Sequence, residues 1–155
     1  MGQCMGTTDL DPSLFRFRRD GGGFILDTGT APTLLLGPAY DEVKAALVRI
    51  LRWYMKPGHP VKPYDLCYPW PLPWIPHLPS LTFHLQHADL EIDFWNVFQT
   101  IDVSRGRKVV CLAMHRVSNT QQPSILGAIQ QANYRFVHDL TDQSLIFYPE
   151  KCTGN

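Results

Sequence analysis

A net charge is missing from this chain: 14 lysines and arginines balance 14 aspartates and glutamates over 155 residues. A neutral chain offers neither the basic footprint that attracts nucleic acid nor the polybasic patch that holds a protein on anionic lipid. Long apolar runs are absent as well. No stretch approaches the roughly 20 residues of a membrane-spanning helix, so neither nucleic acid nor membrane is expected as a partner. The N-terminal MGQCMGTTDLD has no apolar segment of the kind a secretory signal uses, which leaves localisation open. Gly2 and Cys4 hint at acylation, but the myristoylation pattern wants Ser or Thr where Gly6 stands. No Asn-x-Ser/Thr sequon argues for secretion. Cysteine is sparse: Cys4, Cys67, Cys111 and Cys152 are too widely and irregularly spaced for a CxxC zinc site. They fit two disulfides in an oxidising compartment or four inert thiols in a reducing one, and spacing does not choose between these. No internal repeat at solenoid spacing occurs.

What is present is enough apolar material, 45% of residues, for one domain with a sizeable core. Residues 1–20 are polar and read as an irregular lead-in, 21–152 as the folded unit and 153–155 as a tail. Phe24 to Thr28 reads as a buried strand that turns at Gly29. Ala39 to Tyr54 reads as a helix, because Val43, Leu47, Ile50, Leu51 and Tyr54 form one apolar stripe. Pro38 suits its first turn, and Asp41 and Glu42 against Arg49, Arg52 and Lys56 complement its dipole. Pro57 to Pro79 holds eight of the 13 prolines, a density that no helix or central strand survives. Two PxxP segments lie there, but an extended loop whose Trp70 and Trp74 cover a sheet edge is the simpler reading. Short β-rich segments follow at Leu81–Leu85, Leu90–Asp93, Lys108–Met114, Arg135–Asp139 and Ser144–Phe147, with a short helix over Ala128–Asn133. The expected class is mostly β with one substantial helix.

Apolar residues Phe24, Ile25 and Leu26 run into Asp27, Thr28, Gly29 and Thr30. A carboxylate on a rigid turn suits general acid–base work when a second carboxylate stands opposite. Two carboxylates a few ångströms apart cannot both ionise easily, so one pKa falls and the other rises, and a water between them is activated. Gly29 lets the backbone turn closely beneath the carboxylate. The hydroxyls of Thr28 and Thr30 can donate, the first to a partner loop and the second to Asp27. Such a carboxylate standing alone on a surface loop is expected to titrate near the ordinary aspartate value of about 3.9.

Other segments give this motif a context. Ser124-Ile125-Leu126-Gly127 is a second apolar–apolar–Gly element, followed by Gln130 to Arg135, Val137 to Leu140 and Leu145 to Cys152. Gly37 to Val43, Tyr64-Asp65-Leu66-Cys67-Tyr68, Pro79 to His84, Asn96-Val97-Phe98 and Val110 to Met114 complete an ordered series. From about Gly21 to Cys152 the chain resembles the C-terminal lobe of plant pepsin-like aspartic proteases of the nepenthesin group, and the related xylanase-inhibitor C-terminal domain. The resemblance implies a pepsin-like lobe of orthogonally packed sheets with one outer helix, crossed beneath Asp27 by Ile125-Leu126-Gly127. It implies that Asp27 is a catalytic aspartate supported by Thr28, Gly29 and Thr30, that Cys67 and Cys111 form the internal disulfide, and that Cys152 can bond outside the lobe. It implies no metal and no cofactor. Lobes of this group usually carry Ser where Thr28 stands and a second Thr where Ala31 stands. The other aspartate would come from an N-terminal lobe or a second copy of the chain, and the substrate would be protein or peptide. The alternatives are a non-catalytic inhibitor using loops near His77, His115 or Arg116, and an inactive truncated protease.

Remaining clusters have plainer readings. His84 and His87 lie on a predicted strand and turn, as edge histidines rather than zinc ligands. Asp89, Glu91 and Asp93 alternate along a strand and share a solvated face rather than a calcium site. Arg16, Arg18 and Arg19, interleaved with Phe15 and Phe17, read as a solvated tail rather than a nucleic-acid contact.

Overall fold

The computed structural model describes residues 10–19, 21–73, 78–119 and 121–151. Within the segment read as an irregular lead-in, Asp11 caps a short 3-10 turn at Pro12–Phe15, accepting a 2.9 Å hydrogen bond from the Ser13 amide. Strand β1 (Phe17–Arg18) then pairs antiparallel with β2 (Gly21–Gly22). Leu10, Leu14 and Phe15 pack against the core, so apolar spacing anchors this stretch despite its polar composition.

Strands β3 (Phe24–Leu26) and β4 (Thr33–Leu36) flank the Asp27 turn, and α1 (Gly37–Leu51) follows directly. The helix starts earlier and ends earlier than its apolar stripe suggests. Pro38 sits in the first turn, where a missing amide costs nothing. Val43, Leu47 and Leu51 are buried. The backbone tightens after Leu51, where the Tyr54 and Met55 amides both bond its carbonyl, so Met55 enters the core and Tyr54 is left outside. Asp41 lies beyond the first turn and meets Arg116 instead of the helix terminus, at 3.1 Å from its Nε.

The rest is mostly β. Strand β5 (Cys67–Pro69) follows the proline-rich stretch, then β6 (Leu81–Leu85) and β7 (Ala88–Ile92) make a tight hairpin. After the one-turn helix α2 (Phe94–Val97), β8 (Phe98–Val103) and β9 (Arg107–Leu112) pair antiparallel around a turn at Ser104–Gly106. Strands β10 (Met114–Val117) and β11 (Ser124–Leu126), helix α3 (Ala128–Gln131) and the hairpin β12 (Tyr134–Asp139) with β13 (Ser144–Pro149) complete the chain.

Two sheets anchor the disulfide and the Asp27 turn. One runs in the order β5-β9-β8, and there Cys67 stands opposite Cys111 and is disulfide-bonded to it. The other runs β10-β4-β11-β3, and it carries the Asp27 turn at its edge. In that sheet β3 runs parallel to β11, and β4 parallel to β10. The buried stripe of α1 and the inner faces of both sheets share one core, centred on Leu35, Tyr40, Leu51, Phe98 and Leu112. Alternation explains the acidic strand: Asp89, Glu91 and Asp93 are exposed while Leu90, Ile92 and Phe94 are buried.

Candidate active site

Strand β3 delivers Asp27 to a turn that is pinned from below. The Asp27 amide donates to the Leu126 carbonyl at 3.2 Å, continuing the β3–β11 ladder by one residue. Past the turn, the amides of Ala128 and Ile129 donate to the carbonyls of Thr30 (2.8 Å) and Ala31 (3.0 Å). Gly127 lies between these contacts, where the two segments cross. A Cβ on it would stand 2.5 Å from the Pro32 carbonyl group and 2.7 Å from the Ala31 oxygen. Only hydrogen fits there, so the glycine of the apolar–apolar–Gly pattern is required by this close approach.

Polar side chains inside the lobe tighten the crossing. Thr33 and Ser124 are fully buried. The Thr33 hydroxyl accepts from the Gly127 amide at 3.0 Å, and the Ser124 hydroxyl from the Leu36 amide at 3.2 Å. Buried Gln130 accepts from the Thr33 amide at 3.0 Å and donates to the carbonyls of Asn96 (2.6 Å) and Ala113 (3.1 Å). Its amide group therefore ties the loop after Asp27 to α2 and to the junction between β9 and β10. Sequence reasoning missed these supports. The available signal was polar residues inside buried stretches: Thr33 before three leucines, Ser124 before Ile125-Leu126, and the Gln130-Gln131 pair.

The Asp27 carboxylate faces partly into solvent. Its Oδ2 accepts from the Thr30 hydroxyl at 2.7 Å and its Oδ1 from the Gly29 amide at 2.8 Å. These bonds favour the charged form, Thr30 most and Gly29 next, and partial desolvation opposes them. The carboxyl is thus held below the usual aspartate range, which corrects the expectation of an ordinary value for a lone surface carboxylate. Replacing Thr30 with Val removes the larger cause. The Asp27 pKa is expected to rise toward about 3.9 without quite reaching it, because the Gly29 amide remains. A carbon-detected NMR titration of the aspartate carboxyls measures this directly, and an unmoved Asp27 would show that the hydroxyl contributes nothing.

Thr28 is exposed at the tip. Beside it lies a shallow cleft lined by Leu26, Gln131, Tyr134, Phe136 and His138, with Asp27 at its rim. The other sequence candidates lie elsewhere. His84 bonds Asp89 across the β6–β7 hairpin at 2.8 Å. Among the described residues, no three His, Cys, Asp or Glu side chains converge as metal ligands do. His115 and Arg116 stand in β10 rather than in a free loop. The His115 ring lies 5.2 Å from that of Tyr64, and burial pushes its pKa down against the pull of Asp65. Trp70 is exposed and packs edge-on against Trp95 at 6.3 Å. Cys4, Trp74, His77 and Cys152 lie outside the described residues.

A glycine-locked crossing lies beneath the hydrogen-bonded Asp-Thr-Gly turn, and the chain as a whole resembles known proteins. Residues 6–149 match the family model described as Xylanase inhibitor C-terminal. The chain belongs to that family. Aspartic proteinase nepenthesin-1 of Nepenthes gracilis is 31% identical over 97% of the chain, which covers 34% of that protein. Aspartyl protease family protein 2 of Arabidopsis thaliana is 30% identical over 90% of the chain and 28% of its own length. The chain therefore spans about a third of the curated relatives it matches. Among solved structures, that titled "Crystal structure of edgp" superposes with a TM-score of 0.71 at 19% identity, over 91% of this chain and 35% of that one. Conglutin gamma from lupine seeds gives 0.63 at 19%, over 83% of this chain and 32% of that one. At those identities the likeness establishes the fold, which is that of a pepsin-like lobe.

The Gly127 crossing predicts a sharp cost at its centre. Gly127→Ala should destabilise the lobe by about 1–3 kcal/mol, since the methyl meets backbone that cannot rotate away. Chemical denaturation measures it, and a loss under about 0.5 kcal/mol, the range of an ordinary surface change, would mean the crossing is loose.

Proposed function

We propose that this chain is one lobe of an aspartic endopeptidase and that Asp27 is one member of its catalytic pair. The observation that carries the reading is the doubly hydrogen-bonded, partly exposed Asp27 carboxylate on a turn fixed from beneath. Thr28, Gly29 and Thr30 support it. When a second aspartate-bearing lobe docks, the two carboxylates share one proton, and the resulting pKa values belong to the pair. The ionised member takes a proton from the water between them. The protonated member hydrogen-bonds the peptide carbonyl, so the water oxygen attacks its carbon. The partner is an N-terminal lobe or a second copy of the chain. Residues 21–152 form the body of the lobe, and the stretch from Leu10 to Arg18 packs and pairs onto it. The test is a digest of unfolded protein by the chain with and without an N-terminal lobe, using Asp27→Asn as control. Cleavage that survives Asp27→Asn would sink the assignment.

A second reading is favoured by the description of the matched family: a binding lobe that blocks a xylanase without cleaving anything. An intact Asp-Thr-Gly-Thr speaks against it, because an inhibitor has no use for a poised carboxylate. Dose-dependent loss of xylanase activity with no peptide release would select it.

A further inference from the structure

Helix α1 has two faces of opposite character. Val43, Leu47, Leu51 and Met55 point into the core. On the outer side, Arg49 near the helix end and Arg52 and Trp53 in the turn that follows it keep the i, i+3, i+4 spacing of one outward stripe. Lys56 extends it just beyond the last turn, and all four are exposed. Trp53 keeps 77% of its surface in solvent, and the Arg52 guanidinium sits 4.7 Å from its ring centre. None of these cations makes an ion pair among the described residues. Between Glu42 and Asp65 the sequence has no acid at all, and Asp65 is taken up by Lys44 and the Tyr40 hydroxyl. In a chain of zero formal charge, this is a local concentration of positive charge around one flat ring.

Helix-dipole complementarity accounts for Arg49 and its neighbours. It does not account for an indole left bare among them. We propose that this stripe docks an acidic polysaccharide, a chain of sugar rings that carry carboxylates. Guanidiniums pair with carboxylates through two parallel hydrogen bonds. The Arg52 guanidinium lies over one face of the indole, and the other face is open to the C–H face of a sugar ring. Other polyanions fit less well. A lipid surface requires a broad apolar face, and here only Trp53, the partly exposed Tyr54 beside it and Ala45 are available. Nucleic acid requires a larger basic footprint than three side chains on a neutral protein. The stripe shares no residue with the cleft beside Asp27, so docking there is independent of the proposed peptidase activity.

The experiment is affinity electrophoresis of the whole protein in gels containing polygalacturonate, its fully methyl-esterified form, or neither. Retardation is expected only with the free acid. Taking the counterion-release slope of about 0.7 per charge for single-stranded polyanions, three cations predict a roughly 100-fold loss of affinity for a tenfold rise in salt. The variant Arg49→Glu/Arg52→Glu/Lys56→Glu should abolish retardation. Trp53→Ala should weaken it about tenfold while leaving the salt slope unchanged. All four side chains are exposed, so an unchanged circular dichroism spectrum and melting temperature separate lost binding from lost folding. Equal retardation by the esterified polymer, or unaltered retardation of the triple variant, overturns the proposal. So does capture by phosphatidylserine vesicles or a single-stranded oligonucleotide without capture by polygalacturonate.

Discussion

Dilute, monomeric protein is expected to release no peptide from unfolded haemoglobin near pH 4, and activity should appear only when a second aspartate-bearing lobe is supplied. A single carboxylate, itself held below the usual aspartate range, cannot serve at once as the base that takes the water's proton and as the acid that donates to the peptide carbonyl. Docking changes this through repulsion. A second carboxylate close by makes double ionisation costly, and one macroscopic pKa of the pair climbs while the other stays low. The pair is competent between those two values, which gives an acidic optimum. In the assembled enzyme, Asp27→Asn should lower kcat/KM by about 1,000-fold, the middle of the range for losing a general base. If two copies form the pair, specific activity will rise with protein concentration. If only an N-terminal lobe suffices, it will not. Stability of the lone lobe depends on the same carboxyl. A carboxyl whose folded pKa is lowered stabilises the fold above its unfolded value, and that contribution is lost as pH falls through the folded value. The turn that carries Asp27 should therefore loosen at the acid end of the activity range.

The largest effect on stability should follow loss of the Cys67–Cys111 disulfide. These residues face each other across β5 and β9, both are buried, and 44 positions separate them in sequence. Closing a loop of that length removes enough freedom from the unfolded chain to stabilise the fold by about 4 kcal/mol in the chain-entropy model. The native state depends on it locally as well. Strand β5 has three residues, follows a proline-rich stretch with little regular structure, and is held to its sheet only along β9. Replacing both cysteines with Ala should therefore lower the melting temperature by roughly 10 °C. A change under about 3 °C would mean that β5 is held by packing alone. Peptide mapping of the native protein is expected to recover Cys67 joined to Cys111, and a Cys67–Cys4 or Cys67–Cys152 peptide would contradict the arrangement.

Much of this molecule is legible in its residues alone. The class, the one long helix, the β6–β7 and β12–β13 hairpins and the family resemblance rest on short-range signals. These are a 3.6-residue stripe, alternation, turn residues, and an ordered set of motifs. Such signals survive in sequence because each depends on neighbours a few positions away. Even there the periodicity misplaces the helix end. Tyr54 keeps the period, but the chain tightens after Leu51 and Met55 takes the inner position.

Tertiary structure alone decided the rest. Strands β4 and β11 are four and three residues long, too short to declare a period, and they exist because each finds partners far along the chain. The supports of the Asp27 turn are invisible for the same reason. Gln130 meets Thr33, Asn96 and Ala113 only after folding, and a glutamine in sequence does not say whether its amide is buried or wet. Sequence by itself identified Asp27 as the residue to watch, because Asp-Thr-Gly after an apolar run is a local pattern. It could not fix how that carboxyl titrates. The pKa depends on where the Thr30 hydroxyl and the Gly29 amide point, and the crossing at Gly127, distant in sequence, helps set that geometry through bonds to the loop.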